Sequence, residues 1–175
     1  MDLNKDPITN AIYGEIKRGI KIALENRCYG SAIILIYAGI DVMVNLGLPE
    51  AQEEATDLNF IKWVEKYIKL ESKEKIIGEE LYAARCAVLH TYSPESRRTK
   101  KGSARIIVYM WGGHPPVRYD ASINKRIVVV SITALAESFF KAIDKFIIDL
   151  FADAKIRLVA EERLRKLFIT IPAKK

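Results

Sequence analysis

Cysteine is nearly absent from this 175-residue chain, with only Cys28 and Cys86. Two thiols build no disulfide framework, and such sparse use points to a reducing, cytoplasmic setting. Histidine is equally scarce, with only His90 and His114. Cys28, Cys86, His90 and His114 could together offer four zinc ligands, but no pair has finger-like spacing, so no metal or other cofactor is expected. The longest unbroken apolar run, Ala32 to Ile40, is far short of the roughly 20 residues needed to span a bilayer. The opening MDLNKDPITN shows no basic segment followed by an apolar run, so neither a leader nor a membrane partner is expected. Internal repeats and low-complexity segments are also lacking.

Half of the residues are hydrophobic and 29% are charged, the balance of an ordinary globular chain. The length fits a single domain, residues 1–175, with a real core. The net charge of +6 is unevenly spread. From Arg85 to Arg126 there are nine Lys and Arg residues against Glu95 and Asp120, a local excess of +7, which leaves the rest of the chain at −1. Such a cluster is either a solvated loop or the footprint of a phosphate-rich partner such as RNA.

Ile8, Ile12, Ile16 and Ile20 recur every fourth residue, which predicts a first helix. ENRCYGS (25–31) reads as a connection, with Gly30 as breaker and Ser31 as N-cap. SAIILIYAGIDVMVNLG is apolar on every face until Gly47, so it predicts a helix buried all round, in a bundle or against a second subunit. Asp57 is the expected cap of a third helix carrying Phe60, Trp63, Val64 and Tyr67, and a fourth runs from about Lys75 to Tyr92, ahead of Pro94. Beyond the basic loop SPESRRTKKGS, ARIIVYMW and RIVVVSI flank a turn-rich segment, predicting a β-hairpin or a three-stranded meander at 104–131. The last helical stretch starts near Ser131 or Thr133 and, lacking Gly and Pro, could run unbroken to Phe168. The expected fold is mainly α, an antiparallel helical bundle with a β-hairpin or small antiparallel sheet inserted before the last long helix.

ARCAVLHTYSP (84–94) places Arg85 and His90 in a short apolar run. Five residues apart, they point about 140° away from each other on a straight helix. Either the helix ends early, or two copies pair so that their residues mix. His90 lies in the last turn, where free carbonyls favour positive charge, and histidine is suited to general acid or base work. Arginine is suited to gripping a phosphate bidentately. Together the two side chains could cleave RNA without a metal, because the 2′-OH is an internal nucleophile that needs proton transfer and charge stabilisation.

Arg85-(four residues)-His90-Thr91-Tyr92 resembles the R-x(4–6)-H signature of the HEPN superfamily, in its R-x(4)-H-x-Y form, and the apolar second helix is similar to that of the same superfamily. The resemblance covers about residues 8–92 and the return of a long helix after the insertion. It implies a metal-independent endoribonuclease acting in a toxin–antitoxin or antiviral defence role, with a composite active site at a homodimer interface. It also implies that Arg85 stabilises the phosphate and His90 transfers protons. An antitoxin or nucleotidyltransferase partner is implied as well, the latter adenylylating the tyrosine two residues after the histidine, here Tyr92. Cys86 stands where the family often has a polar residue, and the β-rich insertion is absent from its minimal toxins. The alternative is a non-catalytic HEPN dimer that binds a protein or a nucleotide.

Asp41 lies in the most apolar helix, one turn from Tyr37 and on the same face. A buried carboxylate needs a partner, and Arg85 is the obvious one. Cys86 could act as a thiol nucleophile, but a small packed cysteine is the plainer reading. His114 is expected at a hairpin tip. Arg97, Arg98, Lys100, Lys101, Arg105 and Arg118 are candidate RNA contacts. Tyr109, Trp111 and Tyr119, interleaved with them, either stack bases or pack a core. EERLRK (161–166) is expected to solvate a helix face.

Overall fold

The computed structural model describes residues 6–112 and 115–166. Within them the chain is mainly helical, with one small sheet. The first helix, α1 (residues 7–25), is an α-turn (Pro7–Thr9), a π-helical stretch (Asn10–Lys17) and an α-helical end (Arg18–Glu25). Its composite build suits its sequence. A four-residue spacing drifts about 40° per step on a pure α-helix, and the wider i→i+5 turns of a π-helix rotate the row back. Ile8, Ile12 and Ile20 are thereby all buried.

Helix α2 (Tyr29–Leu46) is the axis of the core, with Ile36, Tyr37, Ile40 and Met43 fully buried. It starts before Gly30 and Ser31, which lie within its first turn, while Cys28 holds the cap position without a side-chain bond. The expected breaker and cap are therefore displaced upstream. By length and apolarity alone this helix could cross a membrane, but half of it is buried within the protein. One stripe stays uncovered: Leu35 is exposed and Ile34, Ala38, Asp41 and Val42 are half-buried. The helix expected to be buried all round thus keeps one open face.

Helix α3 (Asp57–Tyr67) is capped by Thr56, which shares a reciprocal capping box with Asn59, and not by Asp57. Helix α4 (Gly78–Thr91) carries the motif. The supposed basic loop contains a short helix, α5 (Arg97–Lys100), whose cap Ser96 is buried. Helix α6 (Ile132–Ala152) is capped by Ser131. Asp153 is extended, closes α6 and caps α7 (Ala154–Leu164) through the N–H groups of Lys155 and Ile156. The continuous helix is therefore broken without Gly or Pro, by a capping carboxylate. Its expected end, Phe168, lies outside the described residues. Arg163 of EERLRK does not merely face solvent: it donates to the carbonyls of Asn45, Leu48, Pro49 and Gln52, behind the end of α2.

The strands β1 (Ile106–Met110), β2 (Val117–Arg118) and β3 (Ile127–Ser131) form a mixed sheet in the order β1-β3-β2. β3 pairs parallel with β1, Ile106 opposite Ile127, and antiparallel with β2, Val117 opposite Val130. This corrects the expected hairpin or antiparallel sheet. The apolar run IVVV suits a central strand, and the turn-rich segment that looked like a hairpin tip is long enough to cross over between parallel neighbours. Ser131 ends β3 and caps α6, so the direction of β3 is set by the helix that follows it.

Two arginines fasten the basic segment to the helices. Arg105 binds the buried Glu80 (Nε to Oε1, 2.5 Å) and also Glu74, while its guanidinium lies over the Tyr119 ring. Arg98 joins Asp57 at 2.5 Å to Glu79. Close packing at the centre is tightest at Gly39, where an added Cβ would meet Ile16 and Phe139 at 2.8–2.9 Å. We expect Gly39→Ala to lower stability by about 1–3 kcal/mol in urea unfolding, the usual cost of overpacking. Gly14→Ala, with nothing within 4 Å of the new methyl, should leave stability unchanged or raise it. Equal effects would refute this account of the core.

Candidate functional site

The motif lies at the C-terminal half of α4, packed across α2. Arg85 donates Nε to both oxygens of Asp41 (3.2 and 2.9 Å) and Nη2 to Oδ2 (2.7 Å). The partnership expected from a carboxylate in an apolar helix is present, as a fork-to-fork pair. Burial pushes the Asp41 carboxyl above the ordinary range, and the Arg85 N–H bonds, the Arg85 charge and the His90 charge all pull against that rise. Arg85 is likewise held more firmly protonated by the carboxylate, against a desolvation that opposes it. Asp41 thus lies within electrostatic reach of both motif residues. Its side chain is 33% exposed and that of Arg85 23%, so the pair lies at the surface of the core and not inside it.

His90 is exposed and helical, since α4 continues to Thr91. The helix does not end early to swing it round, and the two motif residues keep their helical separation. Tyr92 then turns left-handed (φ 49°, ψ 37°), and its N–H closes the helix on Ala87 and Val88. This conformation is uncommon outside glycine. It is braced by the Thr91–Ser93 hydroxyl contact (2.9 Å) and by the Ser93 hydroxyl donating to Glu95. The Tyr92 ring is 69% exposed, but its hydroxyl end lies against Gly30, where an added Cβ would fall 1.7 Å from the oxygen. A side chain at position 30 would therefore displace the Tyr92 phenol from this place.

Tyr37 does not join Asp41. It is fully buried and shares a 2.5 Å hydrogen bond with the hydroxyl of the half-buried Tyr109, which ties α2 to β1. Burial raises both phenols above their ordinary range. Cys86 is half-buried, 4.0 Å from Arg85 Nη1. Tyr82 carries a role that the spacing could have revealed, because it lies three residues before Arg85 on the same face. Its ring supports the Arg98 guanidinium at 4.7 Å and lies 6.0 Å from that of Arg85.

The candidate RNA cations separate into two groups. Arg98 and Arg105 are committed to carboxylates. Arg97, Lys100 and Lys101 are exposed, and among the described residues no ion pair engages them; Arg118 is exposed on β2. Of the interleaved aromatics, Tyr109 is held by Tyr37, Tyr119 lies beneath Arg105, and Trp111 is 66% exposed. His114 lies outside the described residues. Among the described residues no three His, Cys, Asp or Glu side chains form a metal-holding group. No family model, curated protein or solved structure matches the chain.

The Asp41–Arg85 pair is testable by a double-mutant cycle in urea. Partial exposure places it between surface and buried pairs, so Asp41→Ala and Arg85→Ala should each cost about 1–2 kcal/mol. The double variant should cost less than the sum by about 1 kcal/mol. Strict additivity would mean that the pair contributes nothing.

Proposed function

We propose that the chain is a metal-independent endoribonuclease of the HEPN type, working as a homodimer whose cleft is lined by Arg85 and His90 of both copies. The observation that carries this reading is the orientation of Arg85 by Asp41 with His90 exposed at the end of the same helix. In an unbroken helix the two side chains diverge, so a second copy is what brings a phosphate grip and a proton carrier to one phosphodiester. The uncovered stripe of Ile34, Leu35, Ala38 and Val42 beside Asp41 offers the surface on which that copy would pack.

The chemistry needs little else. One imidazole takes the proton of the 2′-OH, whose oxygen attacks the adjacent phosphorus. Charge gathering on the phosphoryl oxygens is met by guanidinium, and the leaving 5′ oxygen takes a proton from the second imidazole. The products are a 2′,3′-cyclic phosphate and a 5′-hydroxyl. The resemblance attaches such activity to toxin–antitoxin or antiviral roles, with Tyr92 as the point where a nucleotidyltransferase would silence it; the residue is largely exposed, and its hydroxyl must move off Gly30 to be modified.

One observation favours the alternative, a non-catalytic dimer that binds a protein or nucleotide: the bidentate edge of Arg85 is already occupied by Asp41. Cleavage of single-stranded RNA in EDTA separates the two readings. We expect cleavage that falls by about 10²-fold or more in His90→Ala, the usual scale for a general acid or base. Leu35→Glu should convert dimer to monomer by light scattering and lower cleavage with it. Cleavage indifferent to His90 removes the catalytic reading, and full activity in a monomer removes the shared cleft.

A further inference from the structure

Where α4 ends, a cleft of about 270 Å³ opens between three elements. Gly30 and Ile33 of α2, Val88 and Tyr92 at the end of α4, and Ile107 and Val108 of β1 form its walls. Its volume lies below the roughly 300–1,000 Å³ of pockets that enclose drug-sized ligands. Its walls are mostly apolar, with Tyr92, Ser93 and Tyr109 as the lining residues that carry hydroxyls. It therefore suits one small, flat, largely apolar group.

The surroundings specify that group further. Tyr29, the neighbour of Gly30, stacks with Trp111, two residues beyond Tyr109, at 5.6 Å between centroids and 13° between planes. The chain has two tryptophans; Trp63 is 7% exposed in the core, whereas Trp111 is 66% exposed. Tyr92 and Trp111 thus leave large aromatic faces open to solvent, the surface on which unpaired bases stack. The charge is complementary to a strand that carries such bases. Arg97, Lys100 and Lys101, all exposed and outside any ion pair among the described residues, begin three residues beyond Pro94 of the cleft wall. Val88 lies two residues before His90 on α4, about 160° round the helix from it, so the cleft and the proposed proton carrier flank different sides of the same helix end.

We infer that this cleft is a nucleobase subsite: an unpaired base of a single RNA strand enters it, Tyr92 and Trp111 supply stacking faces, and Arg97, Lys100 and Lys101 meet the neighbouring phosphates. The subsite rests on the ribonuclease reading for the identity of the strand, but its occupancy can be measured without cleavage. A cleft that admits only an unpaired base makes single strands and loops the class of strand bound and excludes continuous duplex.

Full-length His90→Ala protein, which does not consume the strand, is titrated with a mixed-sequence single-stranded oligoribonucleotide while tryptophan emission is followed. The same titration is run with an abasic ribose-phosphate oligomer of equal length. The expected result is saturable quenching by RNA, none by the abasic strand, and loss of quenching in Trp111→Phe with Trp63 emission retained. Affinity for RNA should fall about tenfold in Tyr92→Ala, the scale of one lost base stack. Equal affinity and unchanged emission for both oligomers would overturn the subsite and leave only phosphate contact. Quenching by an apolar peptide and not by RNA would overturn it in favour of a protein partner. Quenching by RNA with no cleavage by the wild-type protein keeps the subsite and removes the nuclease. Cleavage with affinity unchanged in both aromatic variants removes the subsite and keeps the nuclease.

Discussion

A carboxylate in the middle of the most apolar helix must be answered by a cation, and Arg85 is that answer. The pair fixes where α4 crosses α2, because a guanidinium bonded through both Nε and Nη2 has little rotational freedom left. With the crossing fixed, the remainder of α4 is placed as well. Its start meets α3 and the arginine strap, and its end arrives over Gly30, whose lack of a side chain leaves room for the Tyr92 phenol. The ion pair at the edge of the core thus acts beside the buried Leu81, Ala84 and Ala87 in holding the motif helix in place.

The basic segment has two physical tasks that its composition alone does not separate. Arg98 and Arg105 face inward to Asp57, Glu79, Glu74 and Glu80, and they clamp the chain against the first turn of α4. That clamp delivers β1 alongside α4, which lets Tyr109 reach Tyr37 and closes the third wall of the cleft. Arg97, Lys100 and Lys101 point away from these partners and keep their charge for solvent or ligand. A count of +7 over the region overstates the surface charge, since part of it is neutralised internally by acids from elsewhere in the chain.

Sequence periodicity was a good guide wherever local chemistry decides the outcome. The longer helices, the end of α2 at Gly47, a last helical stretch starting near Ser131 and the Asp41–Arg85 pair were legible, because each follows from spacing or from the cost of a lone buried charge. Strand pairing was not legible, since parallel and antiparallel neighbours of IVVV look alike in a single sequence. The break at Asp153 was hidden because a capping carboxylate carries no glycine or proline to mark it. Tyr37 was misplaced for a related reason. A shared face with Asp41 says nothing of which end of the phenol finds a partner, and Tyr109 is remote in sequence.

The hold of Asp41 on Arg85 bears directly on whether this arginine can also receive a phosphate. A guanidinium has five N–H donors. Asp41 takes Nε and one from Nη2, which leaves the Nη1 edge with only a long contact to the Cys86 sulfur at 4.0 Å. A sulfur competes weakly for such a donor, whereas a polar oxygen in its place would hold it. Cys86 thus leaves the outer edge of Arg85 available while Asp41 fixes the inner one. An arginine oriented from behind and open in front is pre-organised for an incoming anion, because its rotamer entropy is lost before binding and not during it. Until an anion arrives that edge is open to water, since the Arg85 side chain is 23% exposed.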